Sequence, residues 1–490
     1  MAMPLAGEGV LAMAGHRGGE AVLEGLARRV WEAIEAERAS KPKLSVPARG
    51  LRILVETVKA AEEFKPSQHA KRVVFRRHGI LGTGLDRLLT SVFYDTMKRM
   101  GLLDRVAREL TGVESPLILD PWLRAALRVA ADIVLFHRPD RTTLNTLKWG
   151  IADYLSAVTH PYVGMYYWRV FDRLLEYRPR PRSVEEALEW LYLLPAWFIR
   201  RMRELLGPEE AEELFRAFNQ KPLISVRVNT LKATVEEVVE ALRREGKDPV
   251  VSKRVPVVVK FQGPFDFDSS PLYRGGKMVI QEEASAAASL ILDPKPGMTV
   301  VDLAAAPGGK TSHMAELMKN HGRIYAFDID EKRIERMRTI LRRMGITIVK
   351  IFKMDARKAP RVLGEEIADR VMLDAPCTST GTIAKNPELR WRIREEGLEE
   401  IVQLQREMLE AAARLVKPGG RLLYTTCSLL PEENEGNIKW FLERHPEFRL
   451  VPLRGPYDES PLLPGTMRAW PHRHGTIGFF YALLEKRKRG

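Results

Sequence analysis

Apolar residues recur every three to four positions from about Leu51 to Tyr177. Leu85, Leu88, Leu89, Val92 and Phe93 share one face of a predicted helix, and Leu123, Leu127, Val129, Ile133 and Val134 share another. Residues 16–40 predict a further helix, which Lys41-Pro42-Lys43 and Pro47 terminate. This stretch carries no strand pattern, no metal-ligand spacing and no acid–base cluster. Arg178-Pro179-Arg180-Pro181-Arg182 is basic and twice broken by proline, and reads as a solvated linker. A short helical segment resumes from Val184 to about Asn219.

The period then changes. Ile224-Ser225-Val226-Arg227-Val228-Asn229 alternates as a strand does, Ala233 to Glu245 predicts an amphipathic helix, and Val255 to Phe261 predicts another strand. That order fits a small α+β module. Beyond Gln281 strands and helices alternate. Thr299–Leu303, Arg323–Ile329, Ile346–Met354, Arg370–Leu373 and Arg421–Thr425 read as strands with helices between them, which predicts an open parallel sheet covered on both faces. Thr476–Leu484 is a closing apolar strand, expected antiparallel at the sheet edge.

At 490 residues the chain exceeds what one core organises, and 45% hydrophobic with 29% charged residues marks a multidomain globular protein. Lys and Arg number 78 against 64 acidic residues, a net charge of +14 that favours a polyanionic partner such as RNA or DNA. Two cysteines make no disulfide framework. Met1 to Glu20 lacks the basic start and apolar run of a leader, although Met1, Met3 and Met13 leave the start undefined. No apolar run reaches the roughly 18 residues that would span a bilayer. A cytoplasmic protein is expected. Only six Gln and seven Asn occur, a composition that leans towards a thermophile.

Candidate chemistry gathers at the predicted strand ends. The first strand runs into Ala304-Ala305-Ala306-Pro307-Gly308-Gly309-Lys310-Thr311, small residues that let backbone N–H groups approach a ligand where doubly wound sheets bind one. A phosphate-binding loop would need Gly where Ala304 stands, and the dinucleotide fingerprint is absent. Asp328, at the second strand end, suits the hydroxyls of a ribose. A ribose acceptor without a pyrophosphate cradle suits a nucleoside cofactor such as S-adenosylmethionine. Asp355, at the third strand end, is a candidate acceptor for an adenine amino group, or else a solvated turn residue. The two cysteines end two further strand-like runs, in Leu373-Asp374-Ala375-Pro376-Cys377 and Tyr424-Thr425-Thr426-Cys427-Ser428. A lone cysteine is usually a small buried hydrophobe. Two at equivalent strand ends point to chemistry. His472 and His474 read as structural, because no Cys or further His stands at metal-ligand spacing. Lys486-Arg487-Lys488-Arg489 reads as a solvated tail.

Ala304–Lys310, Asp374-Ala375-Pro376-Cys377, Thr426-Cys427-Ser428 and Pro431-Glu432-Glu433-Asn434 resemble the Sun/Fmu (Nop-type) family of RNA cytosine-5 methyltransferases. The similarity covers roughly residues 220–485, with Arg227-Val228-Asn229-Thr230-Leu231, Gln281-Glu282-Glu283-Ala284-Ser285 and Gly478-Phe479-Phe480. The resemblance implies an unassigned extension over 1–60 and an all-α NusB-like RNA-binding domain over 61–185. Linker helices and a ferredoxin-like RNA-binding module follow over 186–275, then a Rossmann-like α/β methyltransferase domain over 276–490. It implies S-adenosylmethionine held by Ala304, Ala305, Ala306, Pro307, Gly308, Gly309, Lys310, Asp328, Asp355 and Asp374.

For catalysis it implies Cys427 as the nucleophile that adds to carbon-6 of cytosine. This makes carbon-5, itself a poor nucleophile, enamine-like. Cys377 would assist breakdown of the adduct, Asp374 would hold the ring-nitrogen edge, and Lys310 would orient the site or favour a thiolate. DNA enzymes of this chemistry lack the later Thr-Cys, so RNA is the expected substrate, ribosomal RNA by analogy and transfer RNA as the alternative. The base must be unstacked or single-stranded to meet the thiol. Lys385 to Trp391 is a candidate RNA-facing wall, with Trp391 either stacking on a base or acting as a buried anchor. A non-catalytic RNA-binding assembly factor is the competing class; it would show degenerate motif residues, and Asp302, Lys310, Asp328, Asp374, Cys377 and Cys427 are all present.

Overall fold

The computed structural model describes residues 19–64 and 66–488. The readings of the start and leader before Gly19, and of Arg489 in the basic tail, lie outside the described residues. The chain divides into two compact units: Met1–Asn219 with Asn386–Arg392, and Gln220–Lys385 with Ile393–Gly490.

The first unit is helical. Its principal helices are α1 (Gly19–Ser40), α2 (Ala48–Glu63), α3 (Ser67–Arg77), α4 (Gly84–Thr111), α5 (Pro121–Phe136), α6 (Ile151–Val158), α7 (Pro161–Leu175), α8 (Val184–Tyr192), α9 (Ala196–Leu206) and α10 (Pro208–Asn219). The segment 19–60, which the sequence leaves unassigned, is built into it, with Leu26, Val30, Ile34, Leu51 and Leu54 all buried. Helix α5 starts where Asp120 accepts from the backbone N–H of Trp122 and Leu123, with Pro121 at the first helical position, where no donor is needed. It is buried along most of its length, yet carries Arg124, Arg128 and Asp132. Each has a partner: Arg124 donates to Glu62 at 2.7 Å, Arg128 to Asp104 at 2.6 and 2.8 Å, and Asp132 takes Arg99 at 2.9 Å. Buried charge persists only when so compensated.

Arg178–Arg182 joins α7 to α8 within this unit, with its three arginines exposed as a solvated segment requires but Pro179 and Pro181 buried. Trp391 is an anchor within the helical unit. Its indole N–H donates to the Lys98 carbonyl at 2.8 Å, and its ring lies so close to Gly101 that a Cβ there would sit 2.2 Å from it. Beside it Arg390, fully buried, donates to Asn219 and to the carbonyls of Leu193 and Phe218. Burial, with Arg99 nearby, pulls its guanidinium down to about 9.

The second unit opens with β1 (Ile224–Val228), α11 (Val235–Arg244), β2 (Val250–Val251), β3 (Val258–Phe261) and β4 (Met278–Ile280). They form an antiparallel sheet in the order β2-β3-β1-β4, the small α+β module expected from the alternation and, from the resemblance, expected to be ferredoxin-like. A capping box between Thr234 and Glu237 starts α11, whose Val238, Val239 and Leu242 pack on the sheet.

The larger sheet follows. Its elements are α12 (Glu283–Leu292), β5 (Thr299–Asp302), α13 (Gly309–Leu317), β6 (Arg323–Asp328), α14 (Glu331–Met344), β7 (Val349–Lys353) and β8 (Ala368–Asp374). They continue with α15 (Leu398–Leu415), β9 (Val416–Thr426), α16 (Glu435–Arg444), β10 (Phe448–Val451), β11 (Asp458–Glu459), β12 (Met467–Ala469) and β13 (Phe479–Lys486). The order is β11-β12-β13-β9-β8-β5-β6-β7, with β10 also pairing β13. Strands β9 to β7 in that order are parallel. Successive residues face opposite cores: Val300, Met372 and Leu423 pack on one side, Val301, Leu373 and Leu422 on the other. Both faces are therefore covered, as a parallel sheet requires.

The closing strand β13 is internal, contrary to its expected edge position. It pairs antiparallel with β9 on one side and with β12 and β10 on the other. Its unbroken buried run Phe480-Tyr481-Ala482-Leu483-Leu484 is what an interior strand needs. Lys486 accordingly belongs to this strand and pairs with Glu366 at 3.1 Å, so the basic tail begins later than expected. Among the described residues, no helix is long and apolar enough to cross a membrane.

Candidate active site

The parallel pairing of β8 and β9 sets Asp374 opposite Thr425, so the two strands end side by side. Two and three residues further on stand Cys427 and Cys377, with their sulfurs 3.3 Å apart. Both are free thiols and half-buried. Their surroundings push them in opposite directions. The hydrogen bond shared with Cys427, then burial, lifts the Cys377 thiol well above its usual range. The same bond lowers that of Cys427, against burial and the Asp374 charge, and is helped by Ser379 and by the Lys310 cation. The pair is thus polarised, with Cys427 favoured over Cys377 as the thiolate. A thiolate is the nucleophilic form of cysteine.

Asp374 and Lys310 form an ion pair at 2.7 Å beside the thiols. Thr425 Oγ1 donates to the other Asp374 oxygen at 2.9 Å, and the Lys310 ammonium lies 5.2 Å from the centre of the Phe479 ring. Asp302 is buried behind them, accepts from Thr311 Oγ1 at 2.7 Å, and is raised by burial to about 6.

The Ala304–Gly309 turn runs from β5 into α13. Gly308 sits at φ +100°, and a Cβ there would meet Met337 Cγ at 2.9 Å, so this position demands glycine. Ala305 and Ala306 are buried, Ala304 and Gly309 half-buried, and Pro307 exposed. Asp328, buried at the end of β6, accepts from the Ala306 N–H at 3.1 Å and so braces this turn. A tight turn of small residues, braced by a carboxylate from the next strand, has the chemistry that a nucleoside cofactor needs. Asp355 stands one strand further out. Its carboxylate caps the short turn Ala356–Lys358 and is held by Arg357 at 2.6 Å, which lowers it.

Several site residues carry no role in the sequence reading. Arg227, fully buried in β1, donates to Gln281 at 2.6 Å, to Ser312 at 2.8 Å and to Glu316 at 2.6 Å, tying the small sheet to α13. Ser379, at φ 59°, sets its hydroxyl 3.4 Å from the Cys427 sulfur. Glu433 and Gln405 lie beneath the two cysteine turns. Gln405 was detectable in principle, being a polar residue among Val402, Met408, Leu409 and Ala412 on the buried face of α15. His474 accepts from the Trp470 N–H at 2.8 Å and lies 3.3 Å from Asp458. Among the described residues no group of three or more His, Cys, Asp or Glu is gathered as a metal site.

Comparison with known proteins adds to this geometry. The sequence model of the family described as 16S rRNA methyltransferase RsmB/F matches residues 289–485, and that of the RsmF/B-like ferredoxin-like domain matches residues 194–268. The probable ribosomal RNA small subunit methyltransferase B of Synechocystis sp. is 35% identical over 299 residues, covering 60% of this chain and 67% of that protein. Its Bacillus subtilis counterpart is 29% identical over 418 residues, covering 82% and 90%. Among solved structures, PH0851 matches with 60% identity and a TM-score of 0.87, covering 91% of this chain and 100% of that one. NSun6 from Pyrococcus horikoshii, solved with SFG, matches with 28% identity and a TM-score of 0.54, covering 59% and 98%.

Proposed function

The chain belongs to the RsmB/F family of 16S rRNA methyltransferases and is an RNA methyltransferase; from that premise we propose that it methylates carbon-5 of a cytosine in small-subunit ribosomal RNA through a covalent bond between that base and Cys427. The observation that carries this reading is the polarised thiol pair, 3.3 Å apart, at the ends of adjacent parallel strands. When bound, S-adenosylmethionine supplies an electrophilic methyl group; Ala304–Lys310, Asp328, Asp355 and Asp374 would hold it. The NSun6 structure with SFG, an analogue of that cofactor, supports the choice.

The chain's own residues do the rest. The Cys427 thiolate forms a bond to carbon-6, and the ring electrons move to carbon-5, which becomes nucleophilic. Asp374 holds the ring-nitrogen edge as positive charge develops there, and Lys310 holds Asp374 in place. Once carbon-5 carries its methyl group, water takes the proton from that carbon, the C–H electrons re-form the C5–C6 double bond, and the Sγ–C6 bond breaks with its electron pair returning to Cys427. Cys377 assists this release, because its S–H stands ready to stabilise the departing thiolate.

We assign residues 61–185, with the segment 19–60 built into the same unit, to a NusB-like RNA-binding domain, 186–275 to the linker helices and ferredoxin-like module, and 276–490 to the methyltransferase domain. The protein works in the cytoplasm. The B. subtilis similarity, which runs through the helical region, favours ribosomal over transfer RNA.

Purified protein, methyl-labelled S-adenosylmethionine and unmodified total RNA test this reading. Label is expected in 5-methylcytidine of small-subunit ribosomal RNA. Cys427→Ala should lose turnover by on the order of 10⁴-fold or more, and Cys377→Ala should accumulate a protein–RNA adduct visible on a denaturing gel. Retained turnover in Cys427→Ala, or label in another nucleoside, would sink the mechanism; label in transfer RNA alone would overturn the substrate.

A further inference from the structure

The motif Pro431-Glu432-Glu433-Asn434 has no part in the mechanism so far, yet its Glu433 is completely buried. A carboxylate has two acceptor oxygens and no donor. One Glu433 oxygen accepts from the backbone N–H of Thr378 and from the Gln405 side chain, each at 2.9 Å. The other accepts from the hydroxyl of Thr378 at 2.5 Å and from that of Ser428. Four donors therefore converge on one carboxylate, and all of them come from neutral groups.

Those donors are not scattered. Thr378 follows Cys377 and Ser428 follows Cys427. The Gln405 amide that reaches Glu433 also donates to the carbonyl of Pro376, on the other side of Cys377, at 2.9 Å. The next residue, Asn434, closes the other turn. Its oxygen accepts from Thr426 Oγ1 at 2.5 Å and its amide donates to the Ser428 carbonyl at 2.9 Å, bracketing Cys427. Glu433 is itself fixed, its carbonyl accepting from Tyr424 at 2.6 Å and Asn437 at 3.2 Å.

We propose that Glu433 is the positioning residue of the thiol pair, its single carboxylate holding the Cys377 and Cys427 turns at the separation that addition and release of the base require. The proposal rests on the reading that Cys427 adds to the base and Cys377 assists its release. The charge serves the same end. The Cys377 thiol is raised by its bond to Cys427 and by burial first, and then by the negative charges of Cys427 and Glu433. Glu433 thus helps keep the proton on Cys377.

Glu433→Gln has the same size but turns one acceptor into an NH₂ group that faces two donors. The expected result is a folded protein with unchanged cofactor binding and RNA KM, and a kcat reduced about 100-fold, the scale of an ångström-sized misplacement. Alkylation by iodoacetamide, mapped to each cysteine by mass spectrometry, should lose its preference for Cys427. Wild-type kcat together with wild-type selectivity would overturn the proposal. If Glu433→Gln loses its melting transition, Ser428→Ala becomes decisive, because it removes the Cys427 turn's own donor to Glu433 and leaves the carboxylate with the other three; unchanged kcat and selectivity there would overturn the proposal equally. The alkylation readout needs no RNA. Failure of the wild type to methylate cytosine would therefore discard the reaction while leaving the role of Glu433 separately testable.

Discussion

At the scale of single residues, the proposed mechanism depends on asymmetry between two chemically identical side chains. Nothing in a cysteine makes it nucleophile or helper; the neighbours decide. For Cys427 those neighbours are the Cys377 S–H first, with Ser379 and Lys310 adding to it against burial and the Asp374 charge. Lys310→Met removes the cation and leaves Asp374 unpaired, and both changes raise the Cys427 thiol. The pH at which iodoacetamide alkylates Cys427 should therefore move upward, and turnover at neutral pH should fall on the order of 10²-fold. An unchanged alkylation profile would remove Lys310 from the account. Both cysteines were legible in the sequence, since the chain holds only two and each ends an apolar run. Glu433 and Thr425 were not legible in that way, and Gln405 only as a polar residue on an apolar helix face. Their roles are defined by partners such as Thr378, 55 residues from Glu433, and Gln405, 28 residues from it. A local pattern carries no information about such pairings.

At the scale of elements, periodicity gave the types and missed the ends. The sequence reading starts the strand before Cys427 at Arg421, after Pro418-Gly419-Gly420. Instead β9 begins at Val416, and a register shift between Ala368 and Arg370 of β8 absorbs the glycines as a bulge. In the helical unit, periodicity marked α4 and α5 but could not show that charged side chains join them. Arg99 of α4 is one of these, bonded to Asp132 of α5, and Asp95 lies 4.0 Å from it. Burial alone would raise the Asp95 carboxyl, yet Arg99 and Lys41 bring it down to about 2. A carboxyl depressed by folding stabilises the native state at any pH above its unfolded value, near 3.8. That contribution, about 2 kcal/mol, is lost as the pH falls from about 4 towards 2. Glu62, lowered by Arg124 and Arg128 against its burial, acts in the same sense. Acid unfolding followed by circular dichroism should therefore reach its steepest slope in that window. Asp95→Asn should flatten it; an equally steep curve for that variant would show that Asp95 contributes nothing there.

At the scale of the whole molecule, the change of period after Asn219 made the division into helical and α/β parts legible. The membership of Asn386–Arg392 in the helical unit was not. Those residues lie between two elements of the α/β unit in the chain, and their buried Arg390 and half-buried Trp391 read equally well as an exposed wall until their partners are known. One property needs no partner list. A net charge of +14 is distributed over a protein whose substrate carries a charge at every nucleotide. Binding a polyanion releases condensed counterions, so affinity must fall as salt rises, with a slope set by the number of phosphates engaged. With about six phosphates contacted, RNA affinity should drop by roughly 10³-fold between 50 and 200 mM salt. The chemistry is separable from this term: Cys427→Ala should bind RNA with the same slope as the wild type while failing to methylate it. Filter binding of both proteins across that salt range measures the slope. Parallel steep lines are expected; a flat line for the wild type would mean that its positive charge takes no part in holding RNA.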